Sequence, residues 1–272
     1  MEARFQRRIQ RYGWDKAASC YEELWGEQLL PARERLLASA ALAPGERVVD
    51  IACGTGLVTF PAAAAVGREG EVVATDLSQE MVDRVRARAG RQGFPQVTAE
   101  RMDSESLALR DESFDAALNC LGLMYAPEPL QALREMHRIL RPAGRAVAAV
   151  WGERRRCGWA DIFPIVDARV RSEVCPMFFQ LGSGDLLAES FAAAGFTAVT
   201  THRVEVTLRY DSGADALGAA FAAGPVALAY SRFDGATRDA AHGEYLASIA
   251  PFQRGEGYDI PGEFVVTGGR RP

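Results

Sequence analysis

With 272 residues, 48% of them apolar and 25% charged, the chain can bury one large core, and α/β domains of this size are common. Its net charge of −5 disfavours a polyanion binder, because phosphate contacts need a concentrated basic surface, so nucleic acid is not expected as a partner. Apolar stretches are broken within about a dozen residues and the amino terminus lacks a signal-like apolar block, which predicts a soluble, cytoplasmic protein without membrane insertion.

In chain order, MEARFQRRIQRYGWDKAASCYEELW is arginine-rich and then aromatic, and predicts a helix from about Asp15 to Leu30. Its Tyr12, Trp14, Tyr21 and Trp25 either pack onto the core or form a lid. A second helix, PARERLLASAAL, ends at the Pro44-Gly45 turn. The run VVDIACGTG, Val48 to Gly56, then reads as a buried strand delivered to a helix start. Gly54 and Gly56 lack Cβ, so a ligand there can lie against main chain.

The strand-helix period then repeats. EVVATD is a second strand; Ser78 is placed as an N-cap with Glu80 in the first turn, and Gly90 to Gly93 closes that helix. QVTAERMD and FDAALNCLGL supply strands three and four, APEPLQALREMHRIL a helix, and the Arg141-Pro142-Ala143-Gly144 turn leads into strand five, RAVAAVW. Such alternation implies a doubly wound, mostly parallel sheet with ligands beyond the strands' carboxyl ends. Asp50, Asp76, Asp103, Asn119 and Trp151 recur at those ends.

Two ligand classes fit Asp76, whose carboxylate would hold ribose hydroxyls in either. For an NAD(P)-dependent reductase, the third glycine of the fingerprint would fall at Thr59, and Asp50 would face an anionic pyrophosphate. Both count against it. S-adenosylmethionine, with a ribose and an adenine but an ammonium and a sulfonium in place of phosphates, suits the same carboxylates.

VVDIACGTG, VVATDLS, RMDSESL, FDAALNCLGL and LREMHRILRPAG resemble, in order and spacing, the class I S-adenosylmethionine-dependent methyltransferases, especially the ubiquinone/menaquinone branch and natural-product enzymes. The likeness runs from about Tyr12 to Trp151. It implies a Rossmann-like, seven-stranded, mostly parallel sheet with an antiparallel last strand and a helical cap. The corresponding single-domain layout is a lid at 1–44, a cofactor core at 45–152, cap segments at 153–195 and 211–250, and final strands at 196–210 and 262–269.

The resemblance places Asp50, Ala52, Gly54 and Gly56 along the methionine moiety, Asp76 on the ribose, and Leu77, Met102, Asp103 and Ser104 about the adenine. The main chain near Asn119 would face the ammonium, and Tyr12 or Tyr21 would reach the carboxylate. Ala52 and Ala143 stand where many members have glycine. The Tyr-Pro motif of DNA amino-methylating enzymes is absent after Asn119, so a nucleic-acid base is not the expected acceptor.

Beyond Trp151, helices are expected at Trp159 to Val170 and Gly184 to Ala194, strands at THRVEVTLRY and EFVVTGG, and a helical detour from Asp211 to Ala250. Trp25, Met124, Trp151, Phe178, Phe179, Phe221 and Tyr230, with Phe233, are candidates to line a hydrophobic acceptor pocket, core packing being the alternative.

Methyl transfer needs alignment and water exclusion more than a strong base. His202, His242 and Tyr12 are the catalytic candidates, while His137 lies on an apolar helix face. Arg154, Arg155 and Arg156 form either a solvated loop or a clamp for an acidic acceptor. Five cysteines without Cys-x-x-Cys spacing predict reduced thiols and no metal site; Cys157 and Cys175 give only a faint hint of a metalloid substrate.

The expected function is methylation of O, N or C on a small aromatic, quinone-like or natural-product metabolite, giving S-adenosylhomocysteine. An NAD(P)-dependent reductase and a non-catalytic S-adenosylmethionine-binding protein are the alternatives, and a homodimer is left open.

Overall fold

The structure, a computed structural model, describes residues 3–170 and 177–272. Strands β1 (Arg47–Ile51), β2 (Glu71–Asp76), β3 (Val97–Arg101), β4 (Phe114–Cys120), β5 (Leu140–Trp151), β6 (Thr197–Tyr210), β7 (Gln253–Arg254) and β8 (Gly257–Arg270) form one sheet. Its order is β3-β2-β1-β4-β5-β8-β6, with the two-residue β7 folded back onto β8. The first five strands are parallel. β8 is antiparallel to both β5 and β6. β7 is an eighth strand beyond the seven expected.

Alternation along the strands assigns two faces, because successive side chains point to opposite sides. Val48, Val72, Ala74, Ala116, Leu118, Val147 and Ala149 pack with helices α3 (Leu30–Ala40), α4 (Thr59–Val66) and α5 (Gln79–Gln92). Val49, Ile51, Val73, Ala117, Ala146, Ala148 and Val150 face the layer that holds helix α6 (Pro129–Ile139) and the aromatic cap. Coverage of both faces explains why β1, β2 and β4 read as near-continuous apolar runs.

The amino-terminal region departs from expectation. Helix α1 spans Ala3–Ala17 and a turn separates it from the short α2 (Tyr21–Trp25), where one helix from Asp15 to Leu30 was expected. Asp15 caps no helix of its own: its carboxylate accepts from the Ser78 hydroxyl at 2.6 Å and the Glu80 amide at 3.3 Å, at the start of α5.

The Arg141-Pro142-Ala143-Gly144 turn is absorbed into β5, with Ala143 at φ +63°. Only α7 (Ile162–Asp167) is helical in the Trp159 segment; α8 (Leu186–Ala193) follows. The detour before β8 holds α9 (Gly213–Leu217), a π-helical turn at Gly218–Ala222, α10 (Ala227–Tyr230) and α11 (Gly235–Ile249). No helix among the described residues is long and apolar enough to cross a membrane.

Candidate functional site

β1 and β4 are neighbours although β2 and β3 lie between them in sequence, so the chain turns opposite ways from them and leaves a crevice beyond their carboxyl ends. The loops after the two strands touch there: a Cβ built on Gly122 would stand 2.3 Å from that of Ala52. Ala52, Gly54 and Gly56 have φ of +58°, +55° and +89°, so the turn after β1 is left-handed at three positions, one without glycine's freedom. A Cβ on Gly56 would also sit 2.5 Å from the Phe60 ring.

Two carboxylates anchor this turn. Asp76 accepts from the Gly54 amide at 2.9 Å and from the Ser78 amide at 2.8 Å, tying the β1 turn to the end of β2. Burial pushes its carboxyl up to about 6 against those two bonds. Asp50, 1% exposed, accepts from the Thr59 hydroxyl at 2.6 Å and leaves its other oxygen without a partner among the described residues. Burial, reinforced by the Asp76 charge, pushes it up to about 7. Thr59, at the position where a dinucleotide fingerprint would carry glycine, thus supplies the hydroxyl that fixes Asp50.

The resulting cleft has a cavity volume of about 100 Å³. Tyr21, Ala52, Gly54, Asp76, Leu77, Met102, Asp103 and Ser104 all line it. Asp50, Gly56 and Asn119 lie behind that wall. Asn119 shapes it, its side-chain oxygen accepting from the Gly122 and Leu123 amides at 3.1 and 2.8 Å, while its amide nitrogen has no partner among the described residues. The intervening Leu121 is held at φ +63°. Tyr12 stands elsewhere, 48% exposed in an outer groove with Phe5 and Phe233.

Sequence reasoning missed the face that α1 contributes. Arg7, Gln10 and Trp14, spaced three and four apart, line the cleft. The Arg7 guanidinium lies 2.9 Å from Asp103 and also pairs with Glu105. Burial raises the Asp103 carboxyl and Arg7 opposes that. The spacing was visible, but only a fold can say that this face meets β3.

Trp14, Tyr21, Leu121 and Tyr125 also line a second cavity of about 30 Å³, so the two spaces share a wall. Trp25, Met124, Trp151 and Phe178 line this chamber, with Trp159. Its ring network is dense: Trp159 stands 4.8 Å from Trp151, 5.6 Å from Phe178 and 5.7 Å from Phe179, which packs behind. Among the described residues, none lining it is acidic, basic or a histidine. Burial holds the Tyr21 phenol well above its ordinary value, so Tyr21 stays protonated at this junction.

The remaining candidates lie outside both cavities. Phe221 and Tyr230 pack in the cap around His242, whose Nε2 is 2.9 Å from the Tyr230 hydroxyl. His202 is exposed on the edge strand β6. His137 packs its ring on Phe196. The three arginines have partners: Arg154 with Asp161, Arg155 with Glu153, and Arg156 with Glu205 and Glu263. Cys157 is buried, its thiol pushed up to about 12, and Cys175 lies outside the described residues.

Comparison with known proteins converges on this segment. Residues 48–144 match the family model described as a methyltransferase domain. Over 132 residues the chain is 33% identical to the aklanonic acid methyltransferase DauC of Streptomyces sp. strain C5, covering 48% of this chain and 60% of that protein. It is also 33% identical over 123 residues to the demethylmenaquinone methyltransferase of Lysinibacillus sphaericus, covering 45% and 52%. The chain spans about half the length of the curated relatives it matches.

A crystal structure of a Bacillus halodurans protein, described as a candidate methyltransferase, shares the fold at a TM-score of 0.64 with 20% identity. That match covers 88% of this chain and 98% of that one. Residues 48–144, which carry the strand ends and turns of the cleft, match the methyltransferase-domain family, and two of the relatives similar over this part of the chain are named as methyltransferases.

Proposed function

We propose that the protein transfers the methyl group of S-adenosylmethionine to an oxygen, nitrogen or carbon of a small aromatic or quinone-like acceptor. The observation that carries this reading is the shared wall. A cleft built on two buried carboxylates adjoins an aromatic chamber with no charged lining residue among the described ones.

The residues present suit the cofactor chemically. Asp76 in the wall and Asp50 behind it, one of whose oxygens has no partner among the described residues, put two carboxylates against the β1 turn and so favour a cationic ligand over a pyrophosphate. Asp76 would take the ribose hydroxyls, Leu77, Met102, Asp103 and Ser104 the adenine, and Tyr21 the methionine end. When bound, the sulfonium supplies an already activated methyl group. The chain's own tasks are then to orient the acceptor and exclude water. Trp14, Tyr21, Leu121 and Tyr125 do both at the junction, and α1 covers it.

The amino-terminal segment 1–44 acts as the lid of this reading, 45–152 as the cofactor core, and the helices after β5 as the cap. The name of the demethylmenaquinone methyltransferase supports a quinone-like acceptor.

Isothermal titration with S-adenosylhomocysteine, with NADPH as comparator, tests the cofactor assignment. Micromolar binding of the former is expected, weakened by about 1–3 kcal/mol in Asp76→Ala, the scale of hydrogen bonds to a charged group. Heat from NADPH alone would overturn it.

A further inference from the structure

The chamber's polar complement is unusual in kind. Among the described residues its lining offers indole N–H groups and phenol hydroxyls, and no carboxylate, ammonium, guanidinium or imidazole. Two of the indoles make an instructive pair. Trp25, 6% exposed, donates its N–H to the Ala219 carbonyl at 3.2 Å. Trp159, 4% exposed in the same wall, has an N–H with no acceptor among the described residues.

A buried N–H without an acceptor loses its hydration and gets nothing back, so native cores rarely keep one. What surrounds Trp159 is aromatic: Trp151 at 4.8 Å, Phe178 at 5.6 Å, Phe163 at 6.0 Å and Trp25 at 6.1 Å. A ring face is a weak acceptor for an N–H. An oxygen brought in by a ligand would outcompete it.

We propose that the Trp159 indole N–H is the specificity-determining donor of the chamber, receiving a carbonyl or phenol oxygen of a flat, uncharged ring system. The proposal rests on the reading of this chamber as the acceptor site. The rings select planarity by stacking, and Trp159 selects the oxygen and with it the ring's orientation toward the cleft. Acceptors anchored by a carboxylate, phosphate or ammonium are disfavoured, because no lining side chain among the described residues carries a compensating charge. The three arginines after β5 are already paired.

The test uses two rings of one shape, 9-fluorenone and fluorene, which differ by a carbonyl in place of a methylene. Each is titrated into the full chain saturated with S-adenosylhomocysteine, following tryptophan emission, in wild type and Trp159→Phe. The expected result is about tenfold tighter binding of fluorenone than fluorene in wild type, the scale of one buried hydrogen bond. In Trp159→Phe the ratio falls below about twofold, with adenosylhomocysteine affinity unchanged.

The wild-type indole N–H resonances give a readout that needs no variant. The Trp159 peak, identified by its proximity to Phe163 and Phe178, should move with fluorenone and stay with fluorene. A wild-type ratio near one, a ratio kept in the variant, or an unmoved Trp159 peak would overturn the proposal. So would failure of both rings to bind. In that case the adenosylhomocysteine heat from the same sample shows whether the methyltransferase reading survives.

Discussion

Asp50 and Asp76 titrate where most carboxylates are already ionised, at about 7 and about 6 against an ordinary 3.8. The folded chain therefore holds protons between about pH 4 and 7 that the unfolded chain has lost. Binding more protons when folded means that stability from this pair is present at low pH and declines as pH rises through that window. A ligand ammonium reverses the preference by favouring both charged forms. Adenosylhomocysteine should bind more tightly at pH 8 than at pH 5.5 and release protons near pH 6.5, seen as a binding enthalpy that changes between phosphate and imidazole buffers. Asp50→Asn should flatten both the melting-temperature slope and the buffer dependence; an unchanged slope would remove Asp50 from this role. Much of the cleft's wall was legible, because an apolar run ending in Asp and then glycine reads as a strand delivered to a turn and a helix start. Thr59 was not legible as a partner of Asp50, since its role depends on a helix turn bringing residues nine apart together. Tyr12 was mislocated relative to the cleft because helical phase, and not aromatic character, decides which side of α1 faces inward.

At the scale of elements, α1 is the informative case. Asp15, where a helix start was expected, instead serves α5, 63 residues away at Ser78. Nothing local in a sequence distinguishes a cap for its own helix from a cap for another. The same helix is pinned at its other end, where Arg7 bridges Asp103 and the buried Glu105, whose side chain is 4% exposed. Removing Arg7 leaves Glu105 without its counter-charge and Asp103 free. Arg7→Ala should speed amide exchange across residues 3–17 several-fold while β1 and β2 keep their protection, and should accelerate adenosylhomocysteine dissociation in stopped flow. Unaltered exchange in α1 would show that the helix is held by its apolar face alone.

Across the whole molecule, the parallel half of the sheet was readable and its antiparallel margin less so. β1, β2 and β4 are covered on both faces and announce themselves by composition. β6 is an edge strand, mostly exposed, with Thr, Arg and Glu interleaved, and its extent follows from pairing with β8 from Thr197↔Arg270 to Tyr210↔Tyr258. Glu263 ties this margin to the cap. It is 1% exposed, 2.9 Å from Arg203 and 3.4 Å from Arg156, and accepts from the Glu153 amide at 3.2 Å. Glu263→Gln should lower stability in urea by about 3 kcal/mol, the low end for a broken buried pair because both arginines keep some solvent. A loss under about 1 kcal/mol would make the network dispensable.

The shared wall has a kinetic consequence. Trp14 sits on α1 and borders both cavities, which enclose only about 100 and 30 Å³. Both are below the size of ordinary small-molecule pockets. One element then borders both spaces, so the molecule in the cleft should enter before the acceptor and leave after it. Turnover should be compulsory-order, with adenosylhomocysteine competing against adenosylmethionine but giving mixed inhibition against the acceptor. A random-order pattern would mean that the chamber has a door of its own.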